Sequence, residues 1–308
     1  MSPTKKFLLT LALASMWSPS FLFIKLAVEE IPPVTLAASR ITIAASILVC
    51  ILIWRGISIK GDLKFWFHAS MMGMISMGIP FCLFSFAEQT IDSSLAAVLN
   101  GTTPMFTALL AHHFVPSDRM TAQKAIGIAL CAAGLLFLFA PNLIEGMNGS
   151  SVGMLAVTFA SFLYGVGHIY GKRYFTGHKP FVSPACALIA CAVFLWPIAL
   201  VCEQPYDMPM PSMLAISGVC GLAICGTVLA FTLYYKLLEI SGPTAISLVA
   251  CFFPVGGMLI GMVMLGEVFT FANMIASCII LVGMMIVNKV VNLDFLLLTK
   301  VSQEVEVE

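Results

Sequence analysis

Charge is what this chain lacks. Lys, Arg, Asp and Glu make up 10% of its 308 residues, against about a quarter in a soluble domain. A surface so poor in charge cannot face water on every side. The 15 basic residues are matched by 15 acidic ones, so no basic stripe remains for a nucleic acid, and none is expected as a partner. No Gly-rich loop with Lys and Ser/Thr is present to cradle ATP phosphates, and neither an H-E-x-x-H zinc site nor paired aspartates within a span suggests an enzyme. The ten cysteines include no C-x-x-C pair and no Cys/His spacing suited to zinc. Nine of them lie in long apolar runs, where a thiol acts as a small hydrophobe, and Cys202, nearest a boundary, has no evident mate. No catalytic residue, metal or cofactor is assigned.

What is present is apolar. Hydrophobic residues make up 60% of the chain and mean hydropathy is +1.02, the composition of a polytopic membrane protein with lipid as its solvent. A span needs about 20 mainly apolar residues. Ten segments qualify, the first five being Phe7–Val28, Pro33–Trp54, Phe65–Ala87, Ser93–Phe114 and Thr121–Ala140. The rest are Val152–Arg173, Phe181–Val201, Met213–Tyr235, Thr244–Gly266 and Phe269–Val291. Turn-forming residues fall between them: Pro32-Pro33, Gly61-Asp62, Pro116-Ser117, Pro141-Asn142, Pro180, Pro209-Met210-Pro211 and Gly242-Pro243. Lys5-Lys6 and Ala12-Leu13-Ala14 imitate a signal peptide, but the apolar run continues to Val28 and reads as an uncleaved first helix.

Basic residues set the expected orientation. With the N-terminus cytoplasmic, thirteen of them, from Lys5 to Lys300, fall on inner segments and Lys25 alone on outer ones. Outer loops otherwise hold acids such as Glu29, Glu30, Asp92, Glu145, Glu203 and Asp207. The positive-inside rule then predicts both termini inside, in a multi-pass protein of the cytoplasmic membrane. Residues 292–308 read as a solvated cytoplasmic tail.

The chain also resembles itself. Leu95-Ala96-Ala97-Val98, leading through Pro104 to Gly134, parallels Ala245-Ile246-Ser247-Leu248, leading through Pro254 to Gly283. Each passage has an acid, Asp118 or Glu267, followed three residues later by Thr121 or Thr270. Trp17, Lys25 and Pro33 correspond in rhythm to Tyr164, Lys172 and Pro180. Two five-helix repeats are expected, residues 1–140 and 151–291, joined by an outer linker at 141–150. An odd number of spans makes the second copy enter from the opposite side, the inverted repeat that many secondary transporters use for alternating access. The expected fold class is therefore an all-α integral membrane protein of ten transmembrane helices in two inverted repeats.

With these passages in view, the chain resembles the EamA branch of the drug/metabolite transporter superfamily from Phe7 to Val291. The resemblance rests on Trp17-Ser18-Pro19-Ser20-Phe21 with Lys25, Pro33 and Arg40, and on Ser94-Leu95-Ala96-Ala97-Val98-Leu99-Asn100. It continues through Thr103-Pro104-Met105-Phe106-Thr107-Ala108-Leu109-Leu110 and Leu265-Gly266-Glu267 with Thr270. It implies ten helices, a central cavity between the halves, and export of amino acids or other small metabolites. Two departures are Ser117-Asp118, where the family usually has Gly-Glu, and Trp17-Ser18-Pro19, where it usually has Trp-Gly.

Ionisable and polar groups inside spans are costly and become site candidates. Arg40, about 10 Å into the second helix, reads either as a clamp for a substrate carboxylate or as a structural partner of Glu88 or a helix end. His168 reads as a proton-coupling group or as a packing histidine. Trp17 and Tyr164 calculate to the midplane, lining a cavity or packing between helices. Ser20, Phe21, Thr103 and Phe253 join them as cavity candidates. At Asn100-Gly101-Thr102-Thr103-Pro104 the proline frees the Asn100 carbonyl, for a substrate or simply for a hinge. Pro19, Pro104 and Pro254 are the expected helix breaks. Glu267 and Asp118 are expected to anchor helix ends, with Thr270 and Thr121 as caps, and His112-His113 to face the headgroups or cytoplasm.

These features predict a secondary transporter that exports small organic metabolites, with membrane lipid around it and an oligomeric state the sequence leaves open. An importer or exchanger of a nutrient or cofactor on the same fold is the alternative, and an intramembrane enzyme a distant one.

Overall fold

The computed structural model describes residues 3–59, 61–116, 118–174, 182–241 and 243–291. Lys60, Ser117, Lys179, Pro180, Phe181, Gly242 and the tail from Asp294 to Glu308 lie outside them, together with the readings placed on those residues. The described secondary structure is helical throughout. Eight helical segments are long and apolar enough to cross a membrane: Thr4–Val28, Pro33–Trp54, Leu63–Ala87, Ser93–Phe114, Ala122–Pro141, Gly149–Tyr174, Val182–Glu203 and Met213–Tyr234. Two shorter apolar helices, Val249–Met264 and Phe271–Val287, follow.

In chain order, α1 (Pro3–Trp17) and α2 (Ser20–Val28) share one span, and α3 (Pro33–Trp54) follows. A π-helical turn at Met74–Gly78 separates α4 (Leu63–Gly73) from α5 (Ile79–Ala87). Next come α6 (Ser93–Asn100), α7 (Thr103–Phe114), α8 (Ala122–Glu145), α9 (Gly149–Tyr174) and α10 (Val182–Ile198), the last extended by a π turn at Ala199–Glu203. A third π turn, Ile224–Leu229, lies between α11 (Met213–Ala223) and α12 (Ala230–Ser241). The chain then forms α13 (Pro243–Met264) and α14 (Phe271–Val287).

Local chemistry sets the boundaries. Pro33 opens α3 at a position where its missing N–H costs nothing. The side chains of Asp62, Ser212, Thr121 and Thr270 accept from Phe65 N (2.8 Å), Ala215 N (3.2 Å), Lys124 N (3.3 Å) and Asn273 N (3.2 Å) at the starts of their helices. The last helix stops at Val287, short of the expected Val291, because Lys289 takes a left-handed φ of 58°. Helix α8 instead runs past Pro141, where a loop was expected, to Glu145. A proline this close to a helix end removes one backbone bond without stopping the final turn.

The molecule is inside-out relative to a soluble domain. Leu136 and Val193 are 65% exposed and Val263 is 78% exposed, presenting apolar side chains to lipid, while Arg40, Glu88, Asn100 and Thr227 are buried. Only four of the ten cysteines, Cys131, Cys186, Cys191 and Cys251, are buried; Cys50, Cys202 and Cys278 are exposed, and all ten are free. An outward-facing thiol in an apolar run still meets lipid, so burial does not follow from the run alone.

Contacts between helices pair the first part of the chain with the second. Helix α3 packs on α10, α6 on α13, and α8 on α14; α2 lies on α11 as α5 lies on α9, and α7 lies on α9 as α1 lies on α13. The α8–α14 crossing is built from small residues. A Cβ at Gly127 would stand 2.7 Å from the Gly283 carbonyl oxygen, and one at Gly283 would stand 2.7 Å from that of Gly127. Such backbone approach supplies the van der Waals contact that drives helix association in lipid.

Candidate functional site

The polar core lies between the two sets of helices. Arg40, on α3, is 6% exposed. Its Nε donates to Thr227 Oγ1 at 3.2 Å, and its guanidinium lies 3.8 Å from the centroid of Phe81. The π turn at Ile224–Leu229 makes the first contact possible, since Thr227 also donates to the Leu222 carbonyl five residues back (3.0 Å) and is turned toward α3. Glu88 does not pair with Arg40, and Lys124 pairs with Asp118. A Cβ at Gly226 would lie 2.8 Å from Ser20 Oγ and 3.4 Å from Arg40 Nη2, so Ser20 and Arg40 share one wall.

A row of aromatic rings runs beside this wall. Trp17 packs on Tyr234 (6.0 Å between centroids) and on Phe253 (6.3 Å). Phe253 stacks on Phe21 (6.3 Å, 8° between planes), Phe21 meets Phe84 edge-on (5.9 Å), and Phe84 stacks on Tyr164 (5.9 Å). The break between α1 and α2 at Ser18-Pro19 positions Trp17 and Phe21, and Ser18 Oγ donates to the Phe253 carbonyl at 3.2 Å. The structure thus brings together Trp17, Ser20, Phe21, Arg40, Tyr164 and Phe253.

Asn100 and Thr103 lie at the break between α6 and α7. The Asn100 carbonyl, one turn before Pro104, accepts from Thr103 Oγ1 at 2.8 Å and keeps a second lone pair. The Asn100 amide oxygen accepts from Thr103 Oγ1 (3.2 Å) and Ser161 Oγ (3.5 Å). Gly101 at this break faces Pro254, 3.5 Å from where its Cβ would be. Helix α13 passes Pro254 unbroken, unlike the chain at Pro19 and Pro104. His168 stands apart from the row: its side chain is exposed, with Nδ1 3.3 Å from Thr107 Oγ1. His112 accepts from Met120 N (3.1 Å) and closes the turn between α7 and α8.

Three carboxylates tie helices together at the end of the molecule that carries most of the acids. Glu203 accepts from Val34 N (2.9 Å), Thr35 N (2.6 Å) and Thr35 Oγ1 (2.7 Å) at the start of α3. Glu267 accepts from Ser93 N (2.8 Å) and Ser94 N (2.9 Å) at the start of α6, reached by a turn in which Gly266 takes φ of 66°. Glu30 accepts from Ser212 N (2.6 Å) and Ser212 Oγ (2.5 Å) before α11. Each sits where the helix dipole favours an anion. Glu267 anchors a helix end as expected, and the helix is the distant α6. Asp118 pairs with Lys124 instead of capping.

Sequence reasoning missed Thr227, Phe81, Phe84, Tyr234 and the Glu203 cap. Thr227 carries a usable signal, a hydroxyl deep in an apolar run. A G-x-S-x-G string also occurs at Gly149–Gly153, but its Ser151 hydroxyl is bound to the Asn148 side chain (3.1 Å) at the start of α9.

The sequence model of the EamA-like transporter family matches twice, over residues 4–140 and 151–289. The "Uncharacterized inner membrane transporter YedA" of Escherichia coli K12 is 25% identical over 90% of this chain and 88% of its own. A "Probable amino-acid metabolite efflux pump" of Salmonella typhimurium LT2 is 25% identical over 90% of this chain and 93% of its own. A solved crystal structure at 20% identity shares the fold with a TM-score of 0.64, over 92% of this chain and 96% of that one. The chain belongs to the EamA-like transporter family.

Proposed function

We propose that the protein is a secondary transporter that exports small organic metabolites bearing a carboxylate, such as amino acids, by alternating access between two inverted five-helix halves, 1–140 and 151–291. Both termini are cytoplasmic, and the end carrying Glu30, Glu203 and Glu267 faces outward. Ten membrane helices carry the fold, the last two being the shorter ones.

One observation carries the substrate reading. The Arg40 guanidinium is buried, bonds only to a neutral hydroxyl among the described residues, and lies against the Phe81 ring on the wall it shares with Ser20. A buried guanidinium favours a planar carboxylate partner, and aromatic rings suit the rest of a flat metabolite. The seam is zipped here, with Phe21 stacked on Phe253. Parting the halves separates these rings and gives the substrate their place. Direction follows the gradients, so the same machine would import if they reversed.

Two-fold exchange of the halves is supported by matched irregularities. Helices α4 and α11 each have 11 residues before a π turn begins. The reciprocal packing of Gly127 on Gly283, and of Gly134 on Ala276, has the form that a two-fold axis imposes. The double family match supports the same division.

The test is metabolite profiling of cells and medium with and without expression, with Arg40→Ala and Asn100→Ala alongside. A carboxylate metabolite depleted inside and enriched outside, with the effect lost in Arg40→Ala, is the expected result. Asn100→Ala, whose side chain bonds to Thr103 and Ser161, should weaken it less. Export unaffected by Arg40→Ala would remove the clamp from the account.

A further inference from the structure

Glu88 ends α5 one residue past the third span, at the acid-rich end of the molecule. It is 0% exposed, and both carboxylate oxygens are buried without a hydrogen-bond partner. The nearest ammonium is turned to other work: Lys25 Nζ donates to the backbone carbonyls of Glu88 (2.7 Å) and Ile91 (3.1 Å). It anchors the end of α5 against α2 and leaves the carboxyl oxygens bare.

The groups facing Glu88 are few. Lys25 comes from α2 and Glu267 from the turn before α14; Asp92, in the turn before α6, feels that same pair. Glu29 and Glu30, after α2, are exposed. Helices α3 and α9 also pack on α5; their Arg40, Tyr164 and His168 are not among the groups acting on Glu88. A carboxylate sealed from water, with no donor and a second carboxylate nearby, is driven to its neutral acid. Burial raises Glu88 well above the ordinary carboxylate range, Lys25 opposes the rise and Glu267 adds to it.

We propose that Glu88 is a proton-binding site: closing the acid-rich end traps it as a carboxylic acid, and opening that end lets it ionise into water. The inference rests on the alternating-access reading above. The proton enters a Glu88 carboxyl oxygen from the water on that side as the end closes, and returns to it on opening. Protons therefore favour the closed end. The closed form prevails at low pH and gives way as pH rises through the raised closed-state value. Between the open-state and closed-state values, each pH unit changes the closed-to-open ratio by up to about tenfold.

Two readouts test this on the full-length protein. Infrared spectra at neutral pH should contain a protonated-carboxyl C=O band that is lost as pH is raised, is absent from Glu88→Gln and is displaced in Glu88→Asp. Amide exchange over residues 31–39, read against Glu88→Gln at each pH so that intrinsic rates cancel, should accelerate with pH in the wild type alone. Lys25→Met should move that transition to higher pH, because removing the ammonium favours the acid. A missing Glu88 band, or exchange in the wild type that tracks Glu88→Gln at every pH, overturns the proposal. Should Glu88→Gln not fold, the wild-type band and its displacement in Glu88→Asp decide alone. A titrating Glu88 in a protein that moves no metabolite would overturn the transport reading and leave the proton site standing.

Discussion

Removing the Glu203 carboxylate should loosen the whole acid-rich end, not one helix start. Glu203 accepts three hydrogen bonds from Val34 and Thr35 and holds α3 from the end of the seventh span. Losing a helix cap costs about 1 kcal/mol, and a hydrogen bond to a charged group is worth roughly 1.5–3 kcal/mol. Glu203 is only half-buried, so the low end applies. About 1.5 kcal/mol corresponds to roughly a tenfold shift between closed and open forms. Amide hydrogen exchange in Glu203→Ala is the assay. Val34 and Thr35 lose their acceptor and must exchange faster on any account. The informative amides are those of Ser93, Ser94 and Ser212, which are held by Glu267 and Glu30. If the three carboxylates act as one latch, these accelerate by about tenfold as well. Acceleration confined to Val34 and Thr35 would refute the latch and leave three independent caps.

Three further outcomes follow from the same contacts. Thr227→Val keeps the side-chain shape but removes the acceptor that fixes Arg40; at about 1 kcal/mol the KM for a carboxylate substrate should rise roughly fivefold with little change in stability, and an unchanged KM would show that Arg40 needs no such positioning. Gly127→Val places its Cβ 2.7 Å from the Gly283 carbonyl oxygen, so thermal unfolding in detergent should report a loss of about 1–3 kcal/mol from overpacking, and a melting point equal to wild type would contradict the close crossing. The Glu267 carboxyl feels burial, which raises its pKa, but hydrogen bonds from Ser94 and Ser93 outweigh it and hold the value below the ordinary 4.5. The cap is therefore worth most above that pH and is lost as pH falls through the depressed value; melting curves should drop in acid for the wild type, and Glu267→Gln should flatten that drop.

Much of the fold was legible because lipid imposes a simple rule. An apolar run bounded by proline or charge must be a helix of fixed minimum length. The stretch from Pro33 to Trp54 came out with both ends as expected, since Pro32-Pro33 starts it and Arg55 follows it. The π turns were not legible, because an apolar run looks the same whether its backbone bonds reach back four residues or five. They matter, since one of them aims Thr227 at Arg40. The carboxylate caps were half legible. An acid beside a helix end is visible in sequence, but which helix it caps depends on packing between distant parts of the chain, as Glu267 and Ser93 illustrate. At the site, the structure brings Trp17, Phe21, Tyr164 and Phe253 into one aromatic row and leaves His168 outside it. The partner rings Phe81, Phe84 and Tyr234 were invisible among 23 phenylalanines and six tyrosines.

On the reading proposed above, a carboxylate metabolite crosses through the seam that contains Arg40. Counterflow in proteoliposomes tests it most directly: vesicles loaded with unlabelled amino acid are diluted into a trace of the labelled form, with no ATP. The account predicts transient accumulation of label above its outside concentration, present in the wild type and lost in Arg40→Ala protein that remains folded. Label that never exceeds equilibrium across a panel of carboxylate metabolites, or that accumulates equally without the Arg40 guanidinium, would contradict it.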